Sequence, residues 1–227
     1  IVPFTHGCGH CPICLAGFEA NCPNAKDGVN GGYQGEFYRA INTDGALVKI
    51  PGQPSDYSDD QLASLTALAD VMPTGFHAAK AADVHEGDTV VVFGDGAVGL
   101  CAVISAKLLG AKRIIAMSRH EDRAALARDF GATDIIAERG EEAIQKIMSL
   151  TNGYGADAAL ECVGTKQAIE SAFQAVRAGG RVGRVGVPHD VDYNEWIDSL
   201  FWKNIQLGGG VASVARWDKE ILLEAVL

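Results

Sequence analysis

The chain has 227 residues, 48% of them hydrophobic, with 19 basic against 29 acidic side chains and a formal charge of -10. That length and apolar fraction suit one large globular core, or one full domain plus part of another, while an acidic balance without any Lys or Arg run argues against nucleic acid or an anionic membrane as the main partner. No apolar stretch reaches the roughly 20 residues of a membrane span, and the opening "IVPFTHGC" lacks the basic and apolar regions of a signal peptide, so a cytoplasmic protein is expected.

The first feature in chain order is a loop, "CGHCPICLAGFEANCP", carrying Cys8, Cys11, Cys14 and Cys22. A redox C-x-x-C opens a helix in a thioredoxin-like unit, whereas these cysteines overlap as a triple in a Gly- and Pro-rich loop. Disulfides would require an oxidising compartment that nothing in the chain supports. An iron–sulfur cluster is the serious rival. The ferredoxin run, however, has three residues before its last Cys and a second set elsewhere, and here seven residues separate Cys14 from Cys22. Four thiolates at this spacing suit a closed tetrahedral Zn2+ site, in which the metal folds a loop with little apolar core. His6 and His10 are expected at the surface, and Cys101 and Cys162, in apolar segments, as buried small hydrophobes.

The region 1–57 then continues as loop and short extended pieces, "EFYRAI" and "ALVKI", joined at "TDG", a hairpin-type turn signal. From Ser58 the pattern turns helical and then alternates. Strand-like runs occur at "TVVVFG", "RIIAMS", "TDII", "ADAALECVG", "GRVGRVGV" and "IQLGGG", with helices beginning near Val98, Glu121, Glu141, Lys166, Asn194 and Trp217. Six mostly apolar strands separated by helices predict an α/β fold over 58–227, a doubly wound parallel sheet covered on both faces.

Gly94, Gly96 and Gly99 form G-x-G-x-x-G directly after the first of these strands and at the start of a helix that opens with Ala97 and Val98. The first Gly permits the tight turn, the second admits a pyrophosphate to the backbone, and the third lets helix pack on strand. Exposed N–H groups and the helix dipole then favour phosphates. At the end of the second strand, where NAD-specific domains place an acid for the ribose hydroxyls, the chain reads "MSRHEDR". A hydroxyl at Ser118 and a guanidinium at Arg119 can bond a 2′-phosphate that a carboxylate would repel, so NADP is favoured over NAD. The other reading has Arg119 facing solvent while Glu121 or Asp122 turns back to the ribose.

The cysteine loop, the run "LADVMPTGFHAAKAADVHEGDTVVVFGDGAVGL", then "LGAKRII" and "GATDII", together resemble the zinc-dependent alcohol dehydrogenases of the medium-chain dehydrogenase/reductase superfamily. The resemblance implies a GroES-like, β-rich catalytic domain wrapped on a Rossmann domain, with the structural zinc lobe on the former and Cys8, Cys11, Cys14 and Cys22 as its ligands. It also implies a catalytic zinc, for which Asp70 is the third protein ligand; the apolar neighbours Leu65, Leu68, Val71 and Met72 would make an unpaired carboxylate costly there. The other ligands, a Cys and a His, precede residue 1 in such enzymes. With the missing initiator Met and an ending inside "WDKEILLEAVL", this leads us to expect a piece of a longer polypeptide. Along the cofactor path the resemblance adds Thr74, Val163, Gly164, Val185, Gly186 and Val187. It further implies an alcohol or carbonyl substrate and a homodimer or homotetramer formed through the last strand. A zinc-free enone or quinone reductase of the same superfamily, or a non-catalytic cofactor sensor, are the alternatives.

Overall fold

The computed structural model describes residues 1–25, 35–189, 197–213 and 216–227. In chain order the elements are α1 (Pro12–Leu15), α2 (Thr43–Ala46), α3 (Asp59–Leu65), α4 (Val71–Ala81), β1 (Thr89–Phe93), α5 (Ala97–Leu108), β2 (Arg113–Met117) and α6 (Glu121–Phe130). They continue with β3 (Asp134–Ile136), α7 (Gly140–Leu150), β4 (Ala156–Glu161), α8 (Lys166–Ala175), β5 (Val176–Arg184), α9 (Ile197–Lys203), β6 (Gln206–Gly209) and α10 (Arg216–Val226). Asn194, where one helix is expected to begin, lies outside the described residues.

Two compact units result, one of residues 1–73 with 212–227 and one of residues 74–211. The division falls later than the expected boundary after residue 57, because α3 and a 3-10 turn over Thr66–Ala69 pack with α10. Ser58 starts α3 with a reciprocal cap, its Oγ accepting from Gln61 N at 3.2 Å while Gln61 Oε1 accepts from Ser58 N at 3.0 Å. Within this first unit Lys219, buried on α10, donates from Nζ to the Ala46 carbonyl. The hairpin expected at "TDG" is absent among the described residues: Asn42 takes a left-handed φ of 50° and Thr43–Ala46 form the helical turn α2. Gly45 instead serves a close approach, since a Cβ there would lie 2.6 Å from the Cys8 carbonyl carbon and the Gly9 nitrogen.

The second unit carries one six-stranded sheet of order β3-β2-β1-β4-β5-β6, with every pair parallel. This is the doubly wound order, with its reversal between β1 and β4. Both faces are apolar because side chains alternate along each strand. Val91, Phe93, Ile115 and Met117 join α7 and α8 residues in one core, and Val90, Val92, Ile114 and Ala116 join α4 and α5 residues in the other. Burying β1, β2 and β4 on both sides explains why their sequences are continuously hydrophobic. Gly183 lets α4 lie on β5; a Cβ there would fall 2.0 Å from the Ala78 carbonyl oxygen.

Candidate functional site

The first chemically distinctive cluster is local. Cys11 caps α1, its Sγ accepting from Cys14 N at 3.5 Å, and Pro12 occupies the first helical position, where no N–H is needed. This turn faces Cys8 and Cys22. The sulfurs of Cys8 and Cys14 lie 4.0 Å apart and those of Cys11 and Cys22 3.8 Å apart, and all four ligand atoms fall within 4.8 Å of one another. A tetrahedron with Zn–S near 2.3 Å has edges of roughly 3.8 Å, so the donor set fits a zinc ion. The Asn24 side-chain amide, donating to Cys8 Sγ at 3.4 Å, together with backbone N–H groups, draws that thiol down to about 5, whereas burial pushes Cys14 up to about 12. A metal bound here would take all four of these free thiols as thiolates.

The second lies where strand order reverses. β1 ends at Phe93, Gly94 turns the chain with φ 121°, and Gly96 caps α5. A Cβ on Gly99 would fall 2.0 Å from the Gly94 carbonyl oxygen, whereas one on Gly96 would meet nothing within 4 Å. The third Gly is thus required by helix–strand packing, and the second leaves its approach open. Beside this turn is a cleft of about 330 Å³ whose lining includes Gly94, Asp95, Arg119, His120, Arg123, Arg139 and Val163. Of the residues lining the cleft, Asp95 alone is a carboxylate, against three guanidiniums. Its Oδ2 accepts from Ser118 Oγ at 2.9 Å and its Oδ1 from Arg123 Nη1 at 3.1 Å. Burial opposes its ionisation, but these two donors outweigh burial and hold the carboxyl below its usual range.

A further cluster supports the strand ends. Glu161 at the end of β4 is fully buried, and its Oε1 accepts from Val163 N and Gly164 N, both at 2.7 Å. Arg184 Nε stands 3.5 Å from the other carboxylate oxygen of Glu161, and the Glu161 backbone carbonyl accepts from Val185 N and Gly186 N. Gly164, at φ 90°, and Gly186 are pressed together; a Cβ on Gly186 would lie 2.1 Å from Gly164 N.

The expected residues therefore sort unevenly. Gly94, Arg119 and Val163 line the cleft, Gly96, Ala97, Val98 and Gly99 build the turn beside it, and Glu161 brings Val163 and Gly164 together with Val185 and Gly186. Val187 is exposed beyond β5, and Thr74 is buried on α4. Ser118 differs from expectation: it is 1% exposed and its hydroxyl already serves Asp95. Nor do Glu121 or Asp122 line the cleft; Glu121 pairs with Arg128 at 3.3 Å on the surface of α6. Asp70 is exposed although Leu65, Leu68 and Met72 beside it are buried, which removes the desolvation argument for a metal there. Among the described residues the four cysteines are the one group of three or more metal-binding side chains close enough to share an ion. Asp95, Arg123, Arg139 and Glu161 escaped sequence reasoning; the acid inside "GDG" was the available signal.

Residues 97–219 match the family described as zinc-binding dehydrogenase. The zinc-type alcohol dehydrogenase B of Aspergillus flavus is 36% identical over 220 residues, 91% of this chain and 49% of that protein. The NADP-dependent isopropanol dehydrogenase of Thermoanaerobacter brockii is 36% identical over 217 residues, 93% of this chain and 58% of that protein. Among solved structures, the alcohol dehydrogenase TADH from Thermus sp. ATN1 matches with a TM-score of 0.82 at 27% identity, covering 99% of this chain and 65% of that one. The chain spans about half the length of the curated relatives it matches. With the doubly wound sheet, its glycine turn and the four-cysteine lobe in one sequence, and with the family match running over more than half of its residues, the chain belongs to the zinc-binding dehydrogenases of the medium-chain dehydrogenase/reductase superfamily.

Proposed function

We propose that this chain supplies the dinucleotide-binding unit and the structural zinc lobe of an alcohol dehydrogenase that passes hydride between an alcohol and NADP, and in reverse reduces an aldehyde or ketone. The observation that carries the reading is the cationic cleft at the strand-order reversal, with the glycine turn beside it. Bound nicotinamide would accept or return the hydride. The chain's own residues bind and orient: Gly94 and Gly96 admit the pyrophosphate to the start of α5, and the Glu161-held segments at Val163–Gly164 and Val185–Gly186 form the path onward. Thr74 and Val187 belong to that path by resemblance. Arg119 makes no hydrogen bond or ion pair among the described residues and is the cation available to a 2′-phosphate. The isopropanol dehydrogenase of Thermoanaerobacter brockii, NADP-dependent by name, supports that choice, and NAD is the lesser cofactor.

Cys8, Cys11, Cys14 and Cys22 would hold the structural zinc, which requires a reducing compartment such as the cytoplasm. Among the described residues no second group of metal-binding side chains comes together. Asp70 as a ligand of a catalytic zinc needs partners from outside this chain. In the complete polypeptide Asp70→Ala should remove one of two zinc equivalents and abolish turnover; retention of both ions excludes the assignment.

A homodimer or homotetramer through β6 belongs to the same proposal. No helix of the described residues is long and apolar enough to cross a membrane. The direct experiment is calorimetric titration of the chain with NADP and with NAD. Both should bind, NADP roughly tenfold tighter, and Arg119→Ala should erase most of that ratio. Tighter binding of NAD, or a ratio unmoved by Arg119→Ala, rejects the NADP reading. Absence of binding by either rejects the dinucleotide site.

A further inference from the structure

The buried position of Ser118 changes what the end of β2 can do. Its hydroxyl, which ought to be free to meet a phosphate, is 2.9 Å from Asp95 Oδ2, and the nearby Arg123 guanidinium is 3.1 Å from Asp95 Oδ1. A phosphate oxygen within hydrogen-bonding reach of Ser118 would stand next to an ionised carboxylate in a partly desolvated cleft. The geometry arises from the parallel register. Phe93 pairs with Met117, so the first side chains past that pair on the two strands, Asp95 and Ser118, meet across the gap. The chain therefore does present a carboxylate at this place, but from the glycine turn of β1 instead of the end of β2.

Arg139 enters from a third segment. It precedes α7, lines the same cleft and donates from Nη1 to the carbonyls of Ala137 and Glu138 at 3.0 and 2.8 Å, which ties its guanidinium to the loop. Among the described residues neither Arg139 nor Arg119 is paired with a carboxylate, unlike Arg123.

We propose that Asp95 is the residue that sets the balance between the two dinucleotides: it engages Ser118 and Arg123, accepts from the ribose hydroxyls of NAD, and opposes the 2′-phosphate of NADP, which is left to Arg119 and Arg139. The inference rests on reading this cleft as the adenosine end of a dinucleotide site. It makes the chain a dual-cofactor binder whose phosphate preference is restrained by its own glycine turn.

The test uses two probes that differ only in the phosphate, 2′,5′-ADP and 5′-ADP, titrated calorimetrically into the chain. Asp95→Asn keeps the shape and removes the charge; it should tighten 2′,5′-ADP about tenfold and weaken 5′-ADP a few-fold. Asp95→Ser serves the same purpose should the amide disturb folding, which circular dichroism reports. Ser118→Ala should leave 2′,5′-ADP within about twofold, because that hydroxyl is already occupied, whereas Arg139→Ala should weaken it about tenfold and spare 5′-ADP. A ratio of the two probes unchanged in the Asp95 variants overturns the inference, as does a tenfold loss of 2′,5′-ADP in Ser118→Ala. If the unsubstituted chain binds neither probe, the dinucleotide reading itself fails and the inference goes with it. Binding of both with an unmoved ratio removes the inference alone.

Discussion

Glu161 is a fully buried carboxylate that accepts two backbone N–H bonds at 2.7 Å and faces Arg184 at 3.5 Å, so it fixes two strand ends at once. Truncation to Ala would strand both peptide donors and leave the guanidinium without this counter-charge. Glu161→Ala is therefore expected to cost about 3–5 kcal/mol in urea unfolding, and Glu161→Gln, which keeps an acceptor for both N–H groups, clearly less. Equal losses would show that the side chain matters only by volume. The four cysteines act as a residue-level unit of another kind. Purified chain should carry one zinc, and Cys11→Ser should lose it and lower the stability of the lobe; iron with labile sulfide, or two Cys–Cys bonds, would exclude zinc. This cysteine cluster was legible because its spacing is local, four within fifteen positions of the chain. The contact of Asp95 with Ser118 was not, since 23 residues and the register of two strands separate them. For the same reason Ser118→Asp is a poor way to switch cofactor: it would bury a second carboxylate against Asp95.

Parallel strands have no hairpins to hold their ends, and here Asp157 does that at the end of the sheet opposite the cleft. From β4 its Oδ2 accepts from Thr89 N at the start of β1 and its Oδ1 from Arg177 Nε at the start of β5, both at 2.8 Å. Burial raises its pKa, but these partners and the nearby Arg181 charge lower it further, so the carboxyl ends below its ordinary value. A depressed native pKa means that the folded chain binds fewer protons than the unfolded one. The stabilisation is then complete above about pH 4, the unfolded value, and is lost as pH falls through the native one. Urea midpoints between about pH 5 and 2 should fall less steeply in Asp157→Asn than in the unsubstituted chain, once its lower starting stability is subtracted. Parallel curves would place the acid sensitivity elsewhere. β1, β2 and β4 could be read from the sequence because each is an apolar run bounded by Gly or polar residues, and burial on both faces asks for that pattern, whereas β5 and β6 carry Arg, Gln and Gly and were legible from their Gly-bounded alternation with helices. The hairpin at "TDG" was misread because its Gly answers a different demand, the approach of the Cys8–Gly9 backbone, which no local pattern signals.

At the scale of the molecule the expected boundary after residue 57 missed the two helical turns that pack with α10, a contact between segments about 150 residues apart that only the folded chain reveals. The same scale bears on assembly. β6 pairs with β5 on one side, and among the described residues no strand pairs its other edge. Close to it in sequence stand exposed apolar side chains: Leu207 on the strand, Val211 just beyond it, and Phe201 and Trp202 on α9, whose rings meet edge to face at 5.1 Å. An open strand edge with apolar neighbours invites another copy, because both its unpaired backbone groups and its apolar surface are satisfied by pairing. Each copy carries a formal charge of -10, so like-charge repulsion opposes association and salt should relieve it. Sedimentation at micromolar concentration is expected to show dimers or larger species, with the equilibrium shifting further toward them as ionic strength rises from about 0.05 to 0.3 M. Leu207→Lys places a charge on the edge strand, as natural edges do to stay unpaired, and should yield monomers with an unchanged circular dichroism spectrum. A monomer at every salt concentration, or an assembly that Leu207→Lys leaves intact, would move the interface away from β6.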